Sequence, residues 1–127
     1  MKTIIRFLLL AILLQSFQCN EEENVTSITP QQLVQKKQEI LDYINSFSCA
    51  EASGCNSIAF GAKPCGGPRE YLVYPNTVNQ ATLENLVSEY YQMDNAYNLQ
   101  TGAVSDCMVV GPPRTIDCVN GVCTIID

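Results

Sequence analysis

The sequence contains no histidine, and this absence excludes several kinds of chemistry. Ser-His-Asp and Cys-His nucleophilic sites, most catalytic zinc sites and the commonest general base all require an imidazole. The chain also lacks a C-x-x-C pair, and a zinc site built from cysteine alone would need reduced thiolates. We therefore expect no metal, no cofactor and no enzymatic activity.

Basic residues are scarce once the first eighteen residues are set aside. Without Lys2 and Arg6, five basic residues remain against thirteen acidic ones, so residues 19–127 carry a net charge of −8. A nucleic-acid-binding protein needs a basic surface to neutralise phosphates, and anionic lipids attract basic segments. The sequence therefore predicts no nucleic-acid partner and no electrostatic attachment to anionic lipids.

Long apolar runs are also missing, apart from FLLLAILL at residues 7–14. This run is too short to span a bilayer, and it follows the positive residues Lys2 and Arg6. A positive start followed by a short apolar core is typical of a secretory signal. We predict that residues 1–18 are a signal peptide and that the mature protein is exported.

Cysteine is abundant, and its count of seven is odd. Six cysteines lie farther along the chain, whereas Cys19 directly follows the predicted signal. This position resembles that of the acylated cysteine in bacterial lipoproteins, where several acyl chains hold the protein on the membrane. The usual lipobox has leucine and a small residue where this chain has Ser16 and Gln18. We predict a lipid-anchored acidic tether over residues 19–28.

The tether sequence NEEEN, residues 20–24, resembles the surface-export signal of some Gram-negative lipoproteins. This resemblance implies the outer membrane or cell surface, and otherwise a periplasmic or extracellular location. Two alternatives remain open. Cleavage nearby would leave Cys19 free or paired, and the sequon at Asn24 would fit a eukaryotic secreted protein. The acidic run itself is also compatible with a solvated tether that carries no export signal.

Two amphipathic helices are indicated farther along the chain. In TPQQLVQKKQEILDYINSF, Thr29 and Gln32 form a capping box around a proline at the first helical position, and the helix ends before Gly54. In NQATLENLVSEYYQMDNAYNLQTG, Asn79 caps the helix and Gly102 ends it. The helical spacing of the second segment predicts one core-facing stripe, which consists of Leu83, Leu86, Val87, Tyr90 and Tyr97.

Short β-rich runs surround the second helix. CNSIAF and EYLVY predict a hairpin with a long loop over residues 61–69, and MVV at 108–110 predicts another strand. TIDCV-NG-VCTII predicts a tight hairpin with a type I′ turn. In that hairpin Cys118 and Cys123 face each other as a non-hydrogen-bonded pair, where side chains are closest. We therefore predict a disulfide between these two cysteines.

The element order α-β-β-α-β-β-β predicts an α+β fold in which two helices pack on a small antiparallel sheet. One domain over residues 29–127, stapled by about three disulfides, is expected. The remaining cysteines allow three connectivities, between which the sequence does not choose: Cys49, Cys55, Cys65 and Cys107. A bond from Cys107 to Cys65 or Cys55 would join the strand regions across a long loop.

The run AFGAKPCGGPREYLVYP, residues 59–75, combines glycines that permit positive φ with prolines that fix their own φ. A cysteine in its middle attaches it to another element. Such a loop is either a stiff turn that the fold requires or a preorganised recognition loop. The candidate recognition residues are Lys63, Gly66, Gly67, Arg69 and Tyr71.

An inhibitor of an extracellular protease is the alternative function, because such proteins are small, disulfide-rich and present a rigid loop. Pro64 directly after Lys63 would block the geometry of cleavage, so Arg69 is the better specificity residue. A small glycoside hydrolase is the least favoured function. It would need two facing carboxylates, for which the candidates are Glu51, Glu70, Asp106 and Asp117.

The string GAKPCGGPREYLVY, followed by a helix, SDC and C-x-N-G-x-C, resembles a set of short bacterial secreted proteins and lipoproteins of uncharacterised function. The resemblance covers residues 55–123, and it implies an oxidising compartment and disulfides. It implies no activity and no catalytic residue. The sequence as a whole predicts a non-catalytic envelope protein, attached to the membrane through Cys19, that acts by binding or scaffolding with an unknown protein partner.

Overall fold

A computed structural model describes residues 27–126 of the chain. Within this range the elements follow the order α-β-β-α-β-β, and their bounds are as follows: helix α1 Pro30–Asn45, strand β1 Cys55–Phe60, strand β2 Glu70–Pro75, helix α2 Gln80–Thr101, strand β3 Ile116–Val119 and strand β4 Val122–Ile125. A 3₁₀ turn, Ala52–Gly54, precedes β1. The predicted signal peptide, Cys19 and most of the tether lie outside the described residues.

The two helices begin and end where the sequence predicts. Thr29 and Gln32 form the expected capping box at the start of α1, and Asn79 accepts a hydrogen bond from the Thr82 amide at the start of α2. Gly102 adopts φ +60° at the end of α2, a left-handed conformation that glycine adopts without a steric penalty. Local capping chemistry therefore sets the start of each helix and the end of α2.

The helices run antiparallel to each other. Near the start of α1, the Ile28 amide donates to Gln100 Oε1 over 3.0 Å. Midway along, Lys36 Nζ lies 2.6 Å from Glu89 Oε2, and near the end of α1 the Tyr43 hydroxyl donates to the Asn79 carbonyl over 3.4 Å. The first turn of α1 therefore lies beside the last turn of α2.

Strands β1 and β2 form an antiparallel hairpin whose inner face packs under the helices. The register pairs Cys55 with Pro75 and Phe60 with Glu70. The rings of Phe60 and Tyr90 stack with centroids 4.1 Å apart, so β1 is joined directly to α2. The core consists of Ile40, Ile44, Phe60, Leu72, Tyr74, Val78, Leu83, Val87 and Tyr90. The structure confirms the predicted α+β class, with the strands divided between two antiparallel pairs.

Strands β3 and β4 form the predicted tight hairpin, with Val119 opposite Val122 and Cys118 opposite Cys123. The predicted disulfide between Cys118 and Cys123 is wrong. Cys118 is bonded to Cys49, and Cys123 is bonded to Cys55. Opposite residues project from the same face of a hairpin, and here that face meets residues 49–55. Each sulfur therefore has a partner outside the hairpin.

The strand predicted for residues 108–110 is also wrong, since these residues have no regular structure. Cys107 has φ +55°, which is a left-handed conformation incompatible with a strand. The Met108 amide donates to Asp106 Oδ1 over 3.1 Å, so a nearby side chain takes the bond that a strand partner would need. No helix of residues 27–126 is both long and apolar enough to cross a membrane.

Candidate recognition site

The loop 61–69 is a closed and stiff connection between β1 and β2. The Arg69 amide donates to the Phe60 carbonyl over 2.9 Å, and the Lys63 amide donates to the Gly67 carbonyl over 2.9 Å. Gly61 has φ +77°, and a Cβ there would lie 3.1 Å from the Arg69 side chain. The backbone hydrogen bonds and this close approach fix the conformation of the loop without any partner.

A buried polar cluster attaches the base of this loop to α2. Asp94 Oδ2 accepts from the Ala62 amide over 2.8 Å and from Arg69 Nε over 2.7 Å. Arg69 Nη2 donates to Asp94 Oδ1 over 3.1 Å and to Asn98 Oδ1 over 2.7 Å. Asn98 Nδ2 completes the cluster by donating to the Ala62 carbonyl over 2.8 Å. The buried carboxylate is therefore both paired and hydrogen-bonded, as burial of a charge requires.

The electrostatics of the cluster favour its charged form. The hydrogen bond to Asp94 raises the pKa of Arg69 above its ordinary value, although partial burial opposes the shift. Burial raises the pKa of the neighbouring Tyr90, and the Asp94 charge adds to that shift. The guanidinium therefore stays charged and the phenol stays neutral at neutral pH.

A second segment, residues 103–109, lies against the loop and is fixed to it covalently. Cys107 is bonded to Cys65. Lys63 Nζ donates to the Met108 carbonyl over 2.8 Å and to Asp106 Oδ1 over 3.3 Å. Two hydrogen bonds lower the pKa of Asp106: the one from the Met108 amide has the larger effect, and the one from Lys63 the next largest. These contacts give the segment one conformation although it contains no helix or strand.

The outer side of segment 103–109 is apolar and exposed. The exposed fractions of its large apolar residues are 93% for Val104, 68% for Met108 and 95% for Val109. Leu99, in the last turn of α2, is 78% exposed. We refer to this part of the molecule, formed by loop 61–69, segment 103–109 and the last turn of α2, as the loop end. Its large apolar side chains are exposed and do not belong to the core.

The structure brings some of the predicted recognition residues together and separates others. Gly66 and Gly67 lie at the exposed tip of the loop, and their φ values of +93° and +80° explain the choice of glycine. Lys63 turns toward segment 103–109, and 14% of its side chain is exposed. Tyr71 lies outside the loop on β2, opposite Ala59. The loop tip is thus accessible, but the Lys63 ammonium is already bonded to segment 103–109.

Arg69 does not project from the loop as a protease-specificity residue would. Its guanidinium donates to both oxygens of Asp94 and to Asn98, although 42% of its side chain is exposed. An arginine that enters a specificity pocket would have to give up these bonds. Arg69 therefore positions the loop, and the apolar residues of segment 103–109 are the ones that extend into solvent.

Asp94 and Asn98 were missed by the sequence prediction. The core-facing stripe of α2 runs through Leu83, Val87 and Tyr90 and then continues to Asp94 and Asn98, rather than to Tyr97, which is half-buried. The signal was present in the spacing, because positions 94 and 98 follow Tyr90 at intervals of four residues. Polar residues on an apolar stripe indicate a buried polar cluster.

Two of the four candidate carboxylates have cationic partners. Glu70 forms an ion pair with Lys37, and Asp106 with Lys63. Glu70 alone contributes a carboxylate to a shallow groove of about 330 Å³ next to loop 61–69. The sulfurs of three cysteines, 49, 55 and 123, lie within 4.8 Å of one another, but each belongs to a disulfide and offers no thiolate to a metal.

Three disulfides fix the described domain: Cys49–Cys118, Cys55–Cys123 and Cys65–Cys107. This number agrees with export to an oxidising compartment, either periplasmic or extracellular. The chain matches no family model, no curated protein and no solved structure.

Proposed function

We propose that this protein is a non-catalytic domain of the cell envelope that is attached through a lipid on Cys19 and acts by binding through its loop end. The observation that carries the proposal is the exposure of Val104, Met108 and Val109 on a segment that is fixed by a disulfide and by Lys63. Exposed apolar residues on a fixed segment favour binding, because little conformational entropy is lost when the surface is covered.

The disulfides support the exported location, and the odd cysteine supports the anchor. All six cysteines from 49 to 123 are paired, so Cys19 has no partner among the described residues. A thiol that the disulfide framework does not use is available for acylation. Surface attachment on the outer membrane is the finer form of the proposal, and it rests on the acidic run of residues 21–23.

Membrane fractionation of cells that produce the full chain tests the anchor. We expect the wild-type protein in the membrane fraction and Cys19→Ser in the soluble fraction. The non-reduced intact mass should show cleavage before Cys19, bound acyl chains and six oxidised cysteines. Asn24→Gln is the matched control, because it changes the neighbouring tether and removes the sequon, and it should stay with the membrane. A mass without lipid that retains Gln18 would overturn the anchored form of the proposal.

A further inference from the structure

The exposed apolar residues of the loop end lie beside the point where the chain enters the domain. Gln100, in the last turn of α2, accepts from the Ile28 amide and donates to the Ile28 carbonyl over 3.1 Å. Leu99 precedes Gln100 directly, and Val104 follows it by four residues, which span about 14 Å at most. The entry point and the apolar surface therefore share one end of the molecule.

The tether is too short to let the domain move far from an anchor at Cys19. Seven residues lie between Cys19 and Ser27, so the eight steps along the chain from Cys19 to Ser27 span about 28 Å when fully extended. A lipid on Cys19 would hold the loop end, rather than the opposite end, at the membrane surface.

We infer that the loop end rests on the bilayer that carries the anchor, with Leu99, Val104 and Val109 in the interfacial region of the lipids. This inference rests on the proposed acylation of Cys19. Aliphatic side chains at the headgroup boundary add apolar burial to a lipid anchor. The fixed backbone of segment 103–109 presents Val104 and Val109 without reorganisation, because Cys65–Cys107 and Lys63 already hold it.

The charge of the protein defines the kind of bilayer. Segment 103–109 contains Asp106, which is paired with Lys63, and residues 19–127 carry a net charge of −8. Anionic headgroups would repel such a domain, whereas zwitterionic headgroups would not. The contact is therefore apolar, and it should weaken as the anionic lipid content rises at low salt.

Tryptophan substitution gives a direct test, because the chain contains no tryptophan of its own. Val104→Trp and Val109→Trp place a fluorophore on the loop end. Val122→Trp is the matched control on the far β3–β4 turn, where Val122 is 53% exposed. Each mature acylated variant is reconstituted into phosphatidylcholine vesicles, with and without brominated phosphatidylcholine, and vesicle flotation is measured in parallel.

We expect all three variants to float with the vesicles. Brominated lipid should quench Val104→Trp and Val109→Trp about twofold or more relative to Val122→Trp, and their emission should shift to shorter wavelength. Replacing a third of the lipid by phosphatidylglycerol should reduce the quenching at low salt.

The outcomes separate the inference from the proposed function. Variants that carry no lipid and do not float contradict the anchor, and the inference then fails with it. Variants that float without quenching at positions 104 and 109, or with equal quenching at 122, overturn the inference alone. In that case a protein partner or a second copy of the chain is the occupant of the loop end.

Discussion

The two ends of the molecule use disulfides differently. At the end opposite the loop end, which we call the hairpin end, Cys49–Cys118 and Cys55–Cys123 attach β3 and β4 to residues 49–55. Its exposed valines, Val119 and Val122, are the closing pair of a hairpin. At the loop end, Cys65–Cys107 joins two segments that have no regular structure.

The exposed apolar residues at the two ends therefore have different causes: the hairpin requires exposure at one end, whereas the fold does not require it at the other. A strand pair alternates its side chains between two faces, so one face of a two-stranded hairpin must meet solvent. Val119 and Val122 are exposed for that reason. No such alternation governs segment 103–109, and Val104 and Val109 contribute no buried contact to the core. Their apolar character is consistent with the contact outside the domain that we propose.

Removal of both hairpin-end disulfides should have the largest effect on stability. Cys49–Cys118 and Cys55–Cys123 close nearly the same part of the chain, with separations of 69 and 68 residues. Loop-closure entropy gives about 7 kcal/mol for the loss of both and about 3 kcal/mol for the loss of one, because the remaining bond still closes the long loop. The expected loss reaches the full stability of many domains.

Urea denaturation of the alanine variants measures these losses. The variant with four cysteines replaced should be largely unfolded, whereas Cys49→Ala with Cys118→Ala should fold. Cys65→Ala with Cys107→Ala is the matched variant at the loop end, where the single bond closes 42 residues and should contribute about 4 kcal/mol. Equal stability of the fourfold variant and the hairpin-end double variant would contradict this account of the two ends.

Much of the fold follows from local sequence signals, whereas the disulfides and the site do not. The capping box at Thr29 and the Asn120–Gly121 turn act over a few residues, so the sequence alone predicts them. The register of Cys118 with Cys123 was predicted correctly, but the pairing of their sulfurs depends on which element covers that face. This packing depends on residues distant in sequence, so the spacing of residues within the hairpin does not predict it.

The loop end depends in the same way on contacts that are distant in sequence. Arg69 and Asp94 are 25 residues apart, and the sequence around Arg69 does not indicate that its guanidinium pairs with a buried carboxylate. Residues 108–110 are apolar, which predicts a strand, but the left-handed conformation of Cys107 and the hydrogen bond from the Met108 amide to Asp106 are incompatible with one. A disulfide and a single side chain thus override the local β propensity.

Disruption of the Arg69–Asp94 cluster tests whether the loop end is fixed by buried contacts. Asp94→Ala should lower the free energy of unfolding by about 3 kcal/mol, at the low end for a broken buried pair because Arg69 is partly exposed. It also leaves the Ala62 amide without its acceptor. Urea denaturation measures the loss, and hydrogen exchange should show faster exchange in loop 61–69.

Asp42→Ala is the matched control for Asp94→Ala, because Asp42 lies exposed on α1 and accepts from Gln38 over 2.7 Å. Asp42→Ala should lower the free energy of unfolding by less than about 0.5 kcal/mol, as most surface substitutions do. A similar loss of stability in both variants would mean that the buried cluster contributes no more than a surface contact. The loop end would then be fixed by Cys65–Cys107 and by the Lys63 hydrogen bonds rather than by the buried cluster.

The smallest expected effect is a change of segment 103–109 with pH. The pKa of Asp106 in the folded protein lies below its ordinary value, because the carboxylate accepts from the Met108 amide and from Lys63. Because the folded-state pKa is lowered, the ionised carboxylate stabilises the segment fully at a pH above the ordinary pKa. This stabilisation is lost as the pH falls through the lowered pKa. Acidification below about pH 4 should therefore loosen this segment first.

Amide NMR measures that step. The Met108 amide should shift and lose protection as Asp106 is protonated, whereas the Val122 amide at the hairpin end should not follow the same transition. Asp106→Asn is the control, because it keeps the side-chain shape, removes the charge and should abolish the acid step. A Met108 transition that persists in Asp106→Asn would show that the segment is not fixed by this carboxylate. The conformation that presents Val104 and Val109 would then depend on Cys65–Cys107 and on the Lys63 bond to the Met108 carbonyl.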